Sequence, residues 1–137
     1  MKIYLASRYS RRMEMLSFAS WLELQEHEVT ARWIRGNHLI SDDELNAGDI
    51  QRRLGERYAL EDLADIGSAD LLICFSETPR SVSSRGGRHV ELGAALMLGK
   101  EVWLVGPIEN AFHCLSNIRR FASVEDCMEQ LENQEEE

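Results

Sequence analysis

Asp70-Leu71-Leu72-Ile73-Cys74-Phe75 and, after a polar connection, Ser84-Arg85-Gly86-Gly87-Arg88-His89-Val90-Glu91-Leu92-Gly93-Ala94-Ala95-Leu96 are the stretch whose reading decides the fold. The apolar run reads as a strand, and the small-residue segment as a helix that starts on glycines and ends at Gly99-Lys100. A strand, a long loop and a glycine-started helix point to a ligand site at the carboxyl end of a parallel sheet. On this reading Glu91 lies in the first helical turn, where free N–H groups and the helix dipole favour a charged carboxylate. An ionised glutamate there is a candidate nucleophile. Taken alone, a glutamate in that place is also an ordinary helix-stabilising residue.

The flanking sequence extends the alternation. Residues 2–6 read as a buried strand, and Ser7-Arg8-Tyr9-Ser10 as a turn into a helix carrying Met13, Leu16, Ala19, Leu22 and Leu24, with Ser10 as its N-cap. Glu28 to Ile34 is a second strand, and Arg35 to Asn46 a polar loop placed to cover the site. Helical spacing returns through Ile50, Leu54, Tyr58, Leu60, Leu63 and Ile66, ending at Gly67-Ser68. Glu101 to Val105 is the next strand. It is followed by an apolar turn from Phe112 to Ile118, an edge strand at Arg119 to Ala122, and a last helix capped by Ser123. Such alternation predicts one three-layer α/β/α domain of the flavodoxin or Rossmann-like kind, with a parallel sheet of four or five strands. It spans residues 1–132, with 133–137 as an acidic tail.

Composition narrows the function. The chain has 137 residues, 44% of them hydrophobic, and a net charge of −9, which argues against binding a nucleic-acid polymer. No run is long and apolar enough for a membrane span. The strand-like start predicts no signal peptide, and Cys74, Cys114 and Cys127 lack metal-type spacing; reduced thiols in the cytoplasm are expected. Neither a metal nor a cofactor is called for. Arginines gather at Arg8, Arg11 and Arg12, and at Arg80, Arg85 and Arg88. Two basic clusters in an acidic chain suit a small anionic ligand.

Three loops converge at the strand ends: Ser7 to Arg12, Ser76 to Arg88 and Gly106 to Asn117. A carboxylate among carboxylates on the helix before the third strand has a raised pKa and can carry a proton. Asp62 and Asp65 share a helix face at i, i+3, and spacing does not choose between them. Glu61 reads as part of a solvated face. Trp21 and Trp103 read as core. Trp33 is a core residue or a platform for a base, and Asn110 and His113 are pocket groups or loop caps.

The chain resembles the nucleoside 2-deoxyribosyltransferase superfamily, which includes 2′-deoxynucleoside 5′-phosphate N-hydrolases and cytidine monophosphate hydrolases. The resemblance rests on Ile3 to Ala6, Asp62 eight residues before Asp70 of Ala69-Asp70, Glu91-Leu92-Gly93 and Gly99-Lys100, in that order, and covers the chain to about Ser116. It implies that Glu91 is the nucleophile and Asp62 the acid that assists the departing base. His89-Val90-Glu91 resembles the cytidine monophosphate branch. Ser116 resembles a serine that a neighbouring subunit lends to a phosphate pocket, so a homodimer or larger even assembly is implied. The first loop, Ser7-Arg8-Tyr9-Ser10-Arg11-Arg12, lacks the family's glycines, and Arg85 and Arg88 stand among those before Glu91.

The expected activity is cleavage of the N-glycosidic bond of a (deoxy)nucleoside or its 5′-monophosphate, by hydrolysis or by transfer to another base. Ser7, Arg8, Tyr9, Arg11, Arg85, Gly87, Arg88, His89, Asn110, His113 and Ser116 are the expected substrate contacts. The alternative is a non-catalytic nucleotide-binding or sensing domain on the same fold. Glu91 discriminates, because a module that only holds a phosphate has no need of a carboxylate at C1′.

Overall fold

The computed structural model describes residues 1–36, 48–82 and 84–136. Five strands form one parallel sheet: β1 Lys2–Ala6, β2 Glu28–Val29, β3 Leu71–Phe75, β4 Glu101–Val105 and β5 Ile118–Phe121. Their order in space is β2-β1-β3-β4-β5. Among the described residues four α-helices accompany them: α1 Arg12–Leu24, α2 Asp49–Ser68, α3 Gly87–Met97 and α4 Val124–Glu136. Right-handed crossovers set the layers. The chain steps out from β1 to β2, then back across to β3 and on to β4, so α1 lies on one face and α2 and α3 on the other. The α4 residues Leu131 and Gln134 line a cleft with the end of α1, which puts α4 on the α1 face. Covered on both sides, β3 is buried at every position. No helix among the described residues is long and apolar enough to cross a membrane.

Three boundaries differ from the sequence reading. The second strand stops at Val29, and Arg32–Ile34 instead form a 3-10 turn. The turn buries Trp33 and Ile34 and lets the Trp33 indole donate to Leu5 O at 2.8 Å. The helix after β1 opens through a 3-10 turn, Tyr9–Arg11, and neither turn nor helix has a side-chain cap, so Ser10 is not an N-cap. At the other end α4 runs to Glu136, so the positions read as an acidic tail are helical to that point, and Ser123 Oγ accepts from Asp126 N as expected of a cap. The loop expected over the site lies outside the described residues from position 37 on.

Helix faces also differ. α1 buries Met15, Phe18, Ala19 and Leu22, leaving Met13 and Leu24 exposed. On α2, Ile50, Leu60 and Leu63 are exposed, while Leu54, Tyr58, Asp62, Asp65 and Ile66 form the covered face. Two carboxylates therefore sit in the row that an apolar helix would fill with aliphatic groups. Trp103 is fully buried and Trp33 nearly so, whereas Trp21 is half-buried and stacked on Phe18.

The carboxyl ends of β3 and β4 meet closely. Ser76 Oγ donates to Pro107 O at 2.6 Å, and Gly106 has φ of 120°. A Cβ there would fall 2.6 Å from Ser76 Oγ and 3.2 Å from Ser76 O. Gly106→Ala is expected to destabilise the fold by about 1–3 kcal/mol through backbone strain. The measurement is the denaturation midpoint at unchanged slope; an unmoved midpoint would show that the turn relaxes freely.

Candidate active site

α3 starts where Gly86 takes a left-handed conformation, φ 80°, and Gly87 enters the helix. This places Glu91 fifth in the helix, past the first turn, which contains no acidic residue. The dipole argument for an ionised Glu91 therefore loses its footing, since that effect fades beyond the terminal turn. Burial dominates instead and pushes the carboxyl from 4.5 up to about 8. A hydrogen bond from the Tyr4 hydroxyl to Glu91 Oε2 works against the rise, and the charge of Asp62 adds to it. Burial thus favours the protonated form of Glu91, the opposite direction from the ionised group expected at a helix start.

Tyr4 belongs to β1 and is fully buried. Burial first, then the charges of Glu91 and Asp62, raise its hydroxyl well above the ordinary phenol value, so it remains a donor. Asp62 acts electrostatically on both groups. Tyr4 on β1 and Glu91 on α3 thus meet directly, and Asp62 on α2 lies near enough for its charge to act on both. Spacing left Asp62 and Asp65 level, and their surroundings in the structure differ. Asp65 is buried and already occupied, accepting from Arg32 N at 3.0 Å and from the Arg32 guanidinium at 2.8 and 2.9 Å. Glu61 is not simply solvated either, with Arg32 Nε at 3.7 Å.

A second cluster forms at the ends of β3 and β4. Arg88 is buried and forks onto both oxygens of Glu109, NH1 to Oε1 and NH2 to Oε2, the latter at 2.6 Å. Glu109 also accepts from Glu77 N at 3.0 Å. Arg88 holds its carboxyl down to about 2. His89 has Nε2 3.7 Å from Glu109 Oε2 and Nδ1 3.3 Å from Asn110 Nδ2. Its pKa is lowered by burial and then by Arg88. Asn110 Oδ1 caps the 3-10 turn Ala111–Cys114 by accepting from Phe112 N at 2.9 Å. His113, buried, accepts at Nδ1 from Glu109 N. Asn110 is thus both a loop cap and a cluster member, while His113 joins the cluster beneath the loop.

The other expected contacts are dispersed. Ser7 is buried at the end of β1 and donates to Arg8 O. Arg8 is half-buried there, and its guanidinium makes no hydrogen bond or ion pair among the described residues. Tyr9 packs at 6.1 Å against Trp33, whose ring is core and not an open platform. Arg11 is taken up by Glu14, Glu77 and Ser76 O, and lies over Phe75 on the α1 face. Its expected part in the site is not supported. Gly87 and Arg85 are exposed before and at the start of α3, and Ser116 is exposed in the turn before β5. A cleft of about 700 Å³ lies at the amino-terminal edge among Met1, His27 and Leu131, away from Glu91. Another of about 310 Å³ flanks the outer side of α3 between His89, Leu96 and Phe112. Neither is lined by the carboxylate pair.

Tyr4 and Glu109 were missed from the sequence. Tyr4 hides in an apolar strand, where only its hydroxyl distinguishes it. Glu109 had a weak signal, a carboxylate just beyond the Gly106-Pro107 that ends β4.

No family model matches the chain, and no curated protein does. Several solved structures share its fold, two of them as follows. One is the CMP N-glycosidase BcmB of Clostridium botulinum, 20% identical with a TM-score of 0.57, the match covering 96% of this chain and 98% of that one. The other is the 2-deoxyribosyltransferase of Bacillus psychrosaccharolyticus, 24% identical with a TM-score of 0.64, covering 93% and 90%. The parallel three-layer fold expected from the alternation of strands and helices is the fold observed.

Proposed function

We propose that the chain is an enzyme of the nucleoside 2-deoxyribosyltransferase superfamily that cleaves the N-glycosidic bond of a (deoxy)nucleoside or (deoxy)nucleoside 5′-monophosphate, by hydrolysis or by transfer of the sugar to another base. The observation that carries this reading is the buried Tyr4–Glu91 hydrogen bond within electrostatic reach of Asp62, on a shared fold. Glu91, once deprotonated, attacks C1′ as the C1′–N bond breaks and its electron pair leaves with the base. Asp62 supplies the proton to that base. Water or a second base, giving up a proton to Asp62, then attacks C1′ and releases Glu91, the two-carboxylate scheme of retaining glycosidases. The Tyr4 hydroxyl orients one Glu91 oxygen and leaves the other for the sugar. A developing positive charge at C1′ favours the ionised carboxylate that burial opposes.

Incubation with a panel of nucleosides and monophosphates, with and without a second free base, tests the reading. Release of no base from any of them would end it. For the phosphate we take Arg8, whose guanidinium makes no hydrogen bond or ion pair among the described residues, whereas Arg88 and Arg11 are paired. Arg8→Ala is expected to weaken monophosphate binding by about 1.5–3 kcal/mol, the worth of a charge-assisted contact. Nucleoside KM should stay put. Equal KM for monophosphates in the variant and wild type would make nucleosides the substrates.

The same reading includes a homodimer or larger even assembly that brings a neighbour's Ser116 to the pocket. Supporting it, Ser116 is exposed, and so are Phe112 and Leu115 beside it. Light scattering should find at least a dimer at micromolar concentration; a fully active monomer would rule the assembly out.

A further inference from the structure

Arg88 enters the fold in the first turn of α3 and is 3% exposed, so its charge needs a counterion. Glu109 provides it through a two-pronged contact, and the same carboxylate receives the Glu77 backbone N–H and faces His89 Nε2. His113 receives the Glu109 backbone N–H, and Asn110 holds the other His89 nitrogen. One side chain therefore ties together the loop after β3, the start of α3 and the loop after β4. Arg88 and Glu91 are three residues apart, so both lie on one side of the helix. A helical turn is stiff, and fixing Arg88 fixes the direction in which Glu91 leaves the helix.

We propose that Glu109 is a positioning residue of the site, locking the first turn of α3 and His89 against the loops after β3 and β4 so that Glu91 is held in register with Tyr4 and Asp62. The proposal rests on the reading of Glu91 as the reacting group. Arg88, expected to bind a phosphate, serves here as the helix side of the lock. Without the Glu109 charge Arg88 is a buried cation with no other ion-pair partner among the described residues, and His89 faces Arg88 and His113 with no opposing carboxylate among them.

Glu109→Gln keeps the size of the side chain and an acceptor for Glu77 N while removing the charge. Turnover should fall about 100-fold, the effect of a displacement on the order of 1 Å at the reacting atoms, with a smaller change in KM. The His89 imidazole, followed by NMR, should titrate at lower pH than in wild type. A second variant, Glu109→Leu with Arg88→Met, replaces the buried pair by apolar groups and should regain thermal stability. If turnover returns with the melting temperature, the pair is only a brace and the proposal falls; low turnover at restored stability upholds it. An unmoved His89 titration in Glu109→Gln also overturns it. That titration needs no turnover, so a wild-type chain that cleaves no nucleoside or nucleotide would refute the reaction and leave the lock to be judged by His89.

Discussion

Glu91→Gln is expected to lower turnover by at least about 10⁴-fold, the scale on which loss of a nucleophile is felt, while substrate affinity is retained. The amide keeps the shape of the side chain and can still accept from Tyr4, but it cannot attack C1′. Stability should move the opposite way. The folded-state pKa of Glu91 is raised from 4.5 to about 8, so the folded protein binds this proton more tightly than the unfolded chain. The associated stability is fully present below about 4.5 and is lost as pH rises through 8. Glutamine mimics the protonated acid at every pH. The variant should therefore melt above wild type on the alkaline side of pH 8, and the two should converge near pH 4. Near-normal turnover by Glu91→Gln would reduce Glu91 to a helix residue. Equal melting temperatures above pH 8 would instead refute the burial argument.

Asp62→Asn is expected to slow cleavage of a natural substrate by about 10²–10⁴-fold, the usual worth of a positioned acid. A substrate whose base departs without a proton should be affected far less. Asp65→Asn, one turn further along the same helix, is the control. Asp65 holds Arg32 and the turn after β2, so its variant should melt lower yet turn over both substrates normally per folded molecule. If Asp62→Asn slowed both substrates equally, Asp62 would not be the proton donor, and its role would be confined to the charge it places near Glu91.

The order of elements was legible because it depends on local patterning. Apolar runs at Leu71–Phe75 and Glu101–Val105, and glycines at 86, 87 and 99, specify strands, a helix start and a helix stop with little help from the rest of the chain. A parallel sheet follows from that alternation. Helix faces were less legible, since Met13, Leu24, Ile50 and Leu60 fit a helical period yet lie outside the covered face. Periodicity gives a spacing, and only packing chooses which of several rows turns inward. Pairing lay further out of reach. Nothing local joins Arg88 to Glu109, Asp65 to Arg32 or Tyr4 to Glu91, because each pair spans two elements and is made by the crossovers. The same holds for the charge on Glu91. The residue and its neighbours were plain in the sequence and suggested an ionised carboxylate. Burial beneath Tyr4 and beside Asp62, a property of β1, α2 and α3 together, raises its pKa to about 8 instead.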